Sequence, residues 1–379
     1  MFDTTLRDGD QMPGVELDLK DKIEILRALD ELGVDIIEAG FPASSEIDRR
    51  AVQAAVREAT RARIAALARA SPRDVDEAAA AEAHIIHVFI ATSDVHMKYK
   101  LRMTREQVIK RAVEAVERAR SYGAMVLFSA EDATRSDPGF LVQVYRAVVE
   151  AGARYINIPD TVGTATPWYM EWLVSLVRGS LPPGVWIDVH CHDDFGLATA
   201  NTLAGLRAGA DGVQVTVNGF GERGGNAALE EVVAALHFLM GRRTGVRLEL
   251  LTPVSRLVAR KFGVEVPPNK AIVGRNAFAH EAGIHVHGVL RNPATYEPIE
   301  PEAVGNKRRI VLGRHSGRAA VEWALSRMGF TPEPGLVKHI LNKLKEAAPR
   351  MKKVDEDTLA GWVAEYMAER GRVAVPGQV

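Results

Sequence analysis

Cysteine is nearly absent: Cys191 stands alone in 379 residues. That excludes an intramolecular disulfide framework and a cysteine-built zinc knuckle, and it fits a reducing compartment. Excess charge of either sign is also missing, with 48 Lys and Arg against 49 Asp and Glu and a formal net charge of -1. Such a balance gives nucleic acid or an anionic membrane nothing to hold. There is no run of about 18 apolar residues to span a bilayer and no signal-peptide plan at the N-terminus, so the chain reads as soluble and cytoplasmic. No Gly-x-Gly-x-x-Gly follows the first strand, which argues against a nucleotide-binding Rossmann domain.

What the chain does have is 47% hydrophobic residues and more length than one average domain needs. Short apolar or β-branched runs occur at Asp35 to Gly40, Arg63 to Leu67, His84 to Ala91, Met125 to Ser129, Tyr155 to Pro159, Trp186 to His190 and Gly212 to Val217. They alternate with helical spacing, as at Leu17 to Leu32, Arg105 to Tyr122, Gly139 to Ala151, Pro167 to Arg178 and Ala198 to Ala208. Helices stop at Gly33, Gly123, Gly152 and Gly209, where a left-handed cap costs little. With the residues before Arg7 counted as a first strand, eight strand-helix units fill roughly 240 residues. This is the pattern of an α/β fold of the (β/α)8 TIM-barrel type. The expected division is a barrel over 1–250, a linker subdomain over 251–325 and a C-terminal helical subdomain over 326–379.

Such barrels carry their chemistry at the C-terminal ends of the strands. Those ends hold Arg7 with Asp8, Glu38, His87, Ser129 with Glu131, Asn157 with Thr161, His190 with His192, and Asn218. In an extended strand, residues two apart point the same way, so His190 and His192 share one face and Cys191 takes the other. A lone His-x-His is more often a pair of hydrogen-bonded core histidines than a ligand pair. Here it closes the apolar run Trp186 to Val189 and precedes the polar loop Asp193 to Gly196, which favours ligation. Asp8 adds a carboxylate, and Asn226, in the glycine-rich turn after strand eight, offers an amide oxygen. That mixed N/O shell suits Mg, Mn or Zn and leaves two positions for a chelating substrate.

The stretches FDTTLRDGDQMPGV, DIIEAGFPASSEID, FIATSDVHMKYKLRMT, FSAEDATRSD, INIPDTVGTATP, VHCHDDFGLATANTL, VNGFGERGGNAALEE, PPNKAIVGRNAFAHEAGIHV and VGNKRRIVLGRHSGRAA run in order over almost the whole chain. Together they resemble the acetyl-CoA Claisen-condensing enzymes, the 2-isopropylmalate, homocitrate and citramalate synthases of the DRE-TIM metallolyases. The resemblance implies a TIM barrel, a divalent metal and acetyl-CoA as co-substrate. A 2-oxo acid would chelate the metal, the enolate of acetyl-CoA would attack its ketone, and thioester hydrolysis would release a dicarboxylate.

It also implies roles for individual residues. Arg7 would neutralise charge on the ketone oxygen, Glu38 would orient Arg7, Thr161 would bind the oxo-acid carboxylate, and Glu131 would lie beside the metal or handle protons. His285 would take the acetyl methyl proton, with Tyr296 a weaker candidate partner. In this family the C-terminal segments reach across a homodimer, so His285 is expected to serve the neighbouring subunit. His87, Ser129 and Asn157 fall where 2-isopropylmalate synthases hold the branched oxo acid, which points to 3-methyl-2-oxobutanoate. Homocitrate synthase with 2-oxoglutarate, then citramalate synthase with pyruvate, are the alternatives.

A hydroxymethylglutaryl-CoA-type lyase fits poorly, because the cysteine that such lyases use in the glycine-rich loop after strand eight has no counterpart between Gly219 and Asn226. A non-catalytic barrel fits poorly too, given intact Arg7, Asp8, His190, His192 and Asn226. The chain departs from the family pattern at Asp10, Asp193, Gly224 and His287, where Glu, Asn, Ala and Asp are usual. Asp193 is expected to add negative charge beside the histidine pair, and His287 offers a second imidazole near His285. Strand one looks short enough to fray and loosen Arg7 and Asp8. The chain stops at Val379, before the further domain of roughly a hundred residues that leucine-regulated members carry, so that form of feedback is not expected. Lys307 to Arg309 and Arg314 to Gly317 are equally readable as a contact for coenzyme A phosphates and as a solvated face.

Overall fold

A computed structural model describes residues 1–347 and 354–373. Eight parallel strands close into a barrel in sequence order: β1 Phe2–Asp3, β2 Ile36–Glu38, β3 Arg63–Arg69, β4 Ile85–Ala91, β5 Met125–Glu131, β6 Tyr155–Asp160, β7 Trp186–Cys191 and β8 Gly212–Val215. β1 closes the ring although it has only two residues. Phe2 is in register with Ile36 on one side and Gln214 on the other. It does not fray: Phe2 and Asp3 are buried, the Thr4 amide donates to the Val215 carbonyl at 2.9 Å, and Asp3 accepts from the amide and hydroxyl of Thr5, each at 2.9 Å.

Helices between the strands begin where short polar side chains can accept from their first free amides. Asp18, Ser45, Ser71, Asp137 and Thr166 each do so, and Thr104 with Gln107 forms a complete capping box. The four glycines expected to stop helices all have positive φ: Gly33 at 94°, Gly123 at 79°, Gly152 at 115° and Gly209 at 106°. At Gly33 a side chain is excluded sterically as well, since a Cβ there would lie 2.5 Å from the Gly245 carbonyl oxygen.

The barrel interior changes character along its axis. Phe2, Ala65, Ile85 and Leu127 form a buried apolar cluster, joined by Ile36, Met125 and Tyr155. Side chains two positions further along a strand share the same face. Ile36 is therefore followed inward by Glu38, Ile85 by His87, Leu127 by Ser129 and Tyr155 by Asn157, all four of them buried. An apolar plug toward the N-terminal ends thus supports a polar layer toward the C-terminal ends.

The chain divides into two compact units, Met1–Val266 and Pro267–Val379. This differs from the boundaries expected at 250 and 325. The helix Leu251–Phe262 belongs to the barrel unit: Lys261 pairs with Asp21 at 2.8 Å and Glu24 at 2.6 Å, and Phe262 stacks on Phe220 with centroids 5.2 Å apart. Beyond it there is one unit rather than two, because a single apolar cluster joins Val286, Leu312, Val321, Leu336, Ile340 and Val363 across the supposed break. That second unit holds the parallel pair Ala279–His280 and Arg309–Ile310 and the helices Gly283–Arg291, Arg318–Arg327, Pro334–Ala347 and Glu356–Val373. Among the described residues, no helix is long and apolar enough to cross a membrane.

Candidate metal centre and substrate cavity

The turn after β1 is tightened by three amides, of Arg7, Asp8 and Gly9, that donate to the Thr4 carbonyl. It brings Asp8 to the end of β7. The ligating atoms of Asp8, His190 and His192 lie within 4.8 Å of one another, and all three residues are buried. The two Nε2 atoms are 3.2 Å apart, and His190 Nε2 is 3.6 Å from Asp8 Oδ2. Asn226 joins them through an antiparallel bridge to His192, donating from Nδ2 to Asp8 Oδ1 and to the Phe220 carbonyl, both at 3.1 Å. Gly221, at φ 159°, allows that approach, since a Cβ there would sit 2.3 Å from Asn226 Nδ2.

These four side chains fit a divalent cation. Asn226 Oδ1 is buried without a hydrogen-bond partner, as are both Nδ1 atoms of the histidines, while their Nε2 atoms converge. Protonation states agree with ligation. Burial alone would raise the Asp8 carboxyl, but Arg7, His190 and His192 outweigh it and hold the group well below the usual carboxylate range. Burial pushes His190 down to about 3 against the pull of Asp8, and it lowers His192 as well. His190 therefore stays neutral in mildly acidic solution, and His192 is shifted in the same direction. Apparent Mg or Mn affinity, read by calorimetry, is expected to fall less between about pH 7.5 and about 5.5 than the protonation of two ordinary imidazoles would make it. An imidazole titrating at its solution value near 6.5 would cost roughly tenfold over that range, and two would cost far more.

Arg7 is held on both sides. Its Nε donates to Glu38 Oε2 at 2.6 Å and its Nη1 to Asp8 Oδ2 at 2.5 Å. Glu38 does more than orient Arg7. It also accepts from the Thr4 hydroxyl at 2.7 Å, and its Oε1 lies 2.6 Å from His87 Nδ1. Burial would raise its carboxyl, yet Arg7 and His87 hold it down at about 2. The chain of contacts continues from His87 Nε2 to Ser129 Oγ at 2.6 Å, and Asn157 Nδ2 donates to the same oxygen at 2.8 Å. Arg7, Glu38, His87, Ser129 and Asn157, from five separate elements, form one hydrogen-bonded row.

A cavity of about 250 Å³ opens over this row and the metal ligands. Phe41, Leu67, Phe89 and Pro159 give it an apolar side; Glu131 and Thr161 stand among its polar lining. Thr161 Oγ1 accepts from the Asp132 amide at 2.9 Å, which leaves its hydrogen free to donate. Eleven of the twelve expected site residues therefore belong to this region of the barrel. The twelfth, His285, lies in the second unit on helix Gly283–Arg291, its ring centroid 4.3 Å from that of Tyr296.

Three other residues take roles outside the cavity. Asn218 turns to Ser255, donating from Nδ2 to its carbonyl at 3.0 Å. Asp193 accepts from the Ala198 amide at 2.8 Å at the start of a helix, a structural use of the carboxylate. Asp10 pairs with Lys22 at 2.7 Å. Two cations of the cavity were not anticipated: Lys100, bound to Glu131 at 2.6 Å, and Arg223, bridging Asp194 at 2.8 Å and the Thr161 carbonyl at 2.7 Å. Both lie inside the motifs quoted above, but neither residue type nor spacing marks them as pocket groups.

The chain is similar to known proteins over almost its whole length. Residues 1–258 match the HMGL-like family model, and residues 272–352 match the model described as homocitrate synthase post-HMGL domain-like. A protein of Ignicoccus hospitalis named probable 2-isopropylmalate synthase is 54% identical over 98% of this chain and 93% of its own length. The chain belongs to the 2-isopropylmalate synthase and homocitrate synthase family. The 2-isopropylmalate synthase of Pyrococcus furiosus is 52% identical over 99% of this chain and 77% of its own. A homocitrate synthase of Methanopyrus kandleri is 48% identical over 100% of this chain and 94% of its own. Membership of the 2-isopropylmalate synthase and homocitrate synthase family makes the chain an enzyme, while relatives this similar carry names for different substrates.

Proposed function

We propose that the protein is a 2-isopropylmalate synthase, condensing acetyl-CoA with 3-methyl-2-oxobutanoate. The observation that carries this choice is the lining of the cavity. His87 and Asn157 both turn to the Ser129 hydroxyl, His87 Nδ1 is taken by Glu38, and Phe41, Leu67, Phe89 and Pro159 offer an apolar surface to an isopropyl group. A 2-oxoglutarate side chain set against the row of Arg7, Glu38, His87, Ser129 and Asn157 would bring its second carboxylate to Asn157 Oδ1, a buried acceptor that has no donor of its own. Arg7 there is already committed to Glu38 and Asp8.

A divalent ion held by Asp8, His190, His192 and Asn226 supplies Lewis-acid polarisation of the ketone. Arg7, kept charged because Glu38 and Asp8 outweigh its burial, faces the oxygen on which negative charge develops. Thr161 donates its free hydroxyl hydrogen to the oxo-acid carboxylate. Glu131 stands at the rim as a proton-handling group, and His285, beside Tyr296, takes the acetyl methyl proton. We read the protein as a homodimer acting on small molecules, with Mg, Mn or Zn as its ion.

Product identification tests the substrate. With acetyl-CoA and an equimolar mixture of 3-methyl-2-oxobutanoate, 2-oxoglutarate and pyruvate, mass spectrometry is expected to find 2-isopropylmalate as the dominant product. Homocitrate or citramalate in excess would overturn the assignment. Selectivity between 3-methyl-2-oxobutanoate and pyruvate should be limited to about 10- to 200-fold per methylene-sized difference.

A further inference from the structure

The turn after β4 contains a π-helical segment, Met97–Leu101, which Arg102 leaves with φ 53°. Such segments interrupt regular helices and are frequent at functional sites. This one carries Lys100 to the cavity, where its Nζ donates to Glu131 Oε1 at 2.6 Å. Lys100 is 51% exposed and Glu131 18%, so the pair stands at the open side. An ammonium has three N–H donors, and Glu131 takes one. The other two cations of the cavity have more partners, Arg7 two carboxylates and Arg223 the carboxylates of Asp194 and Glu222 and the Thr161 carbonyl.

We propose that Lys100 is the binding cation for the carboxylate that thioester hydrolysis creates, with Glu131 holding its ammonium in place between turnovers. The inference rests on the condensation reading above. A cavity of about 250 Å³ accommodates an oxo acid but not coenzyme A, so the thioester carbon lies at the mouth. In the hydrolytic step the oxygen of water bonds to that carbon and the C–S bond breaks. One hydrogen of the water ends on the coenzyme A sulfur, and the carboxylic acid loses its proton to solvent. A neutral group thereby becomes an anion next to Glu131. Two carboxylates so placed repel unless a cation lies between them, and Lys100 has the donors to bridge both.

The test compares 2-isopropylmalate with its monoamide at the acetyl-derived carboxyl, each as a competitor of 3-methyl-2-oxobutanoate in the Mg-loaded protein. The unsubstituted protein is expected to bind the dicarboxylate about tenfold more tightly than the monoamide, the size of a charge-assisted hydrogen bond at a half-exposed site. Lys100→Met should reduce that ratio to near one, and Lys100→Arg should keep most of it. KM for 3-methyl-2-oxobutanoate should move less than about threefold in either variant, because the oxo acid's own carboxylate is held elsewhere. If Lys100 merely supported the fold, both competitors would weaken together and the ratio would stay. A ratio that persists in Lys100→Met, or is absent from the active unsubstituted protein, overturns the inference. If the unsubstituted protein releases no coenzyme A with any oxo acid, the condensation reading itself fails and takes this inference with it.

Discussion

Asp8→Ala and His192→Ala should each reduce turnover to below about a hundredth of the unsubstituted rate, a barrier increase of roughly 3 kcal/mol or more. The expectation follows from how few groups form the centre. Asp8 is the one carboxylate in the cluster with His190 and His192, and it is also the acceptor that fixes the Asn226 amide. Its loss removes a ligand, frees a second and deprives Arg7 of one of its two anions. His192→Ala leaves those contacts intact but takes one of the two converging Nε2 atoms. Both variants should lose Mg or Mn binding by calorimetry while keeping their circular dichroism, since Arg7 remains anchored by Glu38. A variant with normal metal affinity and more than a hundredth of the activity would show that these residues are not the ligands.

Glu38→Gln should be strongly destabilising, by about 2–3 kcal/mol, the scale of losing charge-assisted hydrogen bonds in a buried network. Glu38 is fully buried and answers Thr4, Arg7 and His87 at once. A neutral amide can accept from one of them, but it leaves Asp8 as the one carboxylate on Arg7 and presents N–H groups where acceptors are needed. Thermal unfolding should fall by roughly 2 °C or more per kcal/mol, and activity should fall with it as Arg7 and His87 lose their alignment. The pH dependence has a defined sign. The folded carboxyl sits at about 2 against an ordinary 4.5, so its stabilisation is fully present above about pH 4.5 and is lost as pH falls toward 2. The difference in melting temperature between the unsubstituted protein and Glu38→Gln should therefore shrink on acidification through that window. A constant difference would mean that Glu38 stabilises by packing rather than by charge.

The barrel was legible because its signals are local. Each strand is a short apolar run, each helix has a capping side chain or a stop glycine, and β1 revealed itself only through the residues that follow it. His190 and His192 were legible for the same reason, since a two-residue period needs no tertiary information. The hydrogen-bonded row was not. Glu38 and His87 are 49 positions apart, and Ser129 lies another 42 beyond, so their mutual contacts exist only once β2, β4 and β5 stand side by side. That the helix at Leu251–Phe262 belongs to the barrel is not legible in its own residues, because its partners Asp21, Glu24 and Phe220 lie far back along the chain. Lys100 and Arg223 escaped notice because a surface cation and a cavity cation have the same sequence appearance, and the difference lies in a π-turn and in a bridge between loops.

The most direct test of the account is the release of free coenzyme A from acetyl-CoA with Mg or Mn, measured against 3-methyl-2-oxobutanoate, 2-oxoglutarate, pyruvate and no oxo acid. The account predicts the highest kcat/KM with 3-methyl-2-oxobutanoate and negligible release without an oxo acid. A higher kcat/KM with 2-oxoglutarate would contradict it, and would mean that the row of His87, Ser129 and Asn157 beneath an apolar wall does not select the substrate.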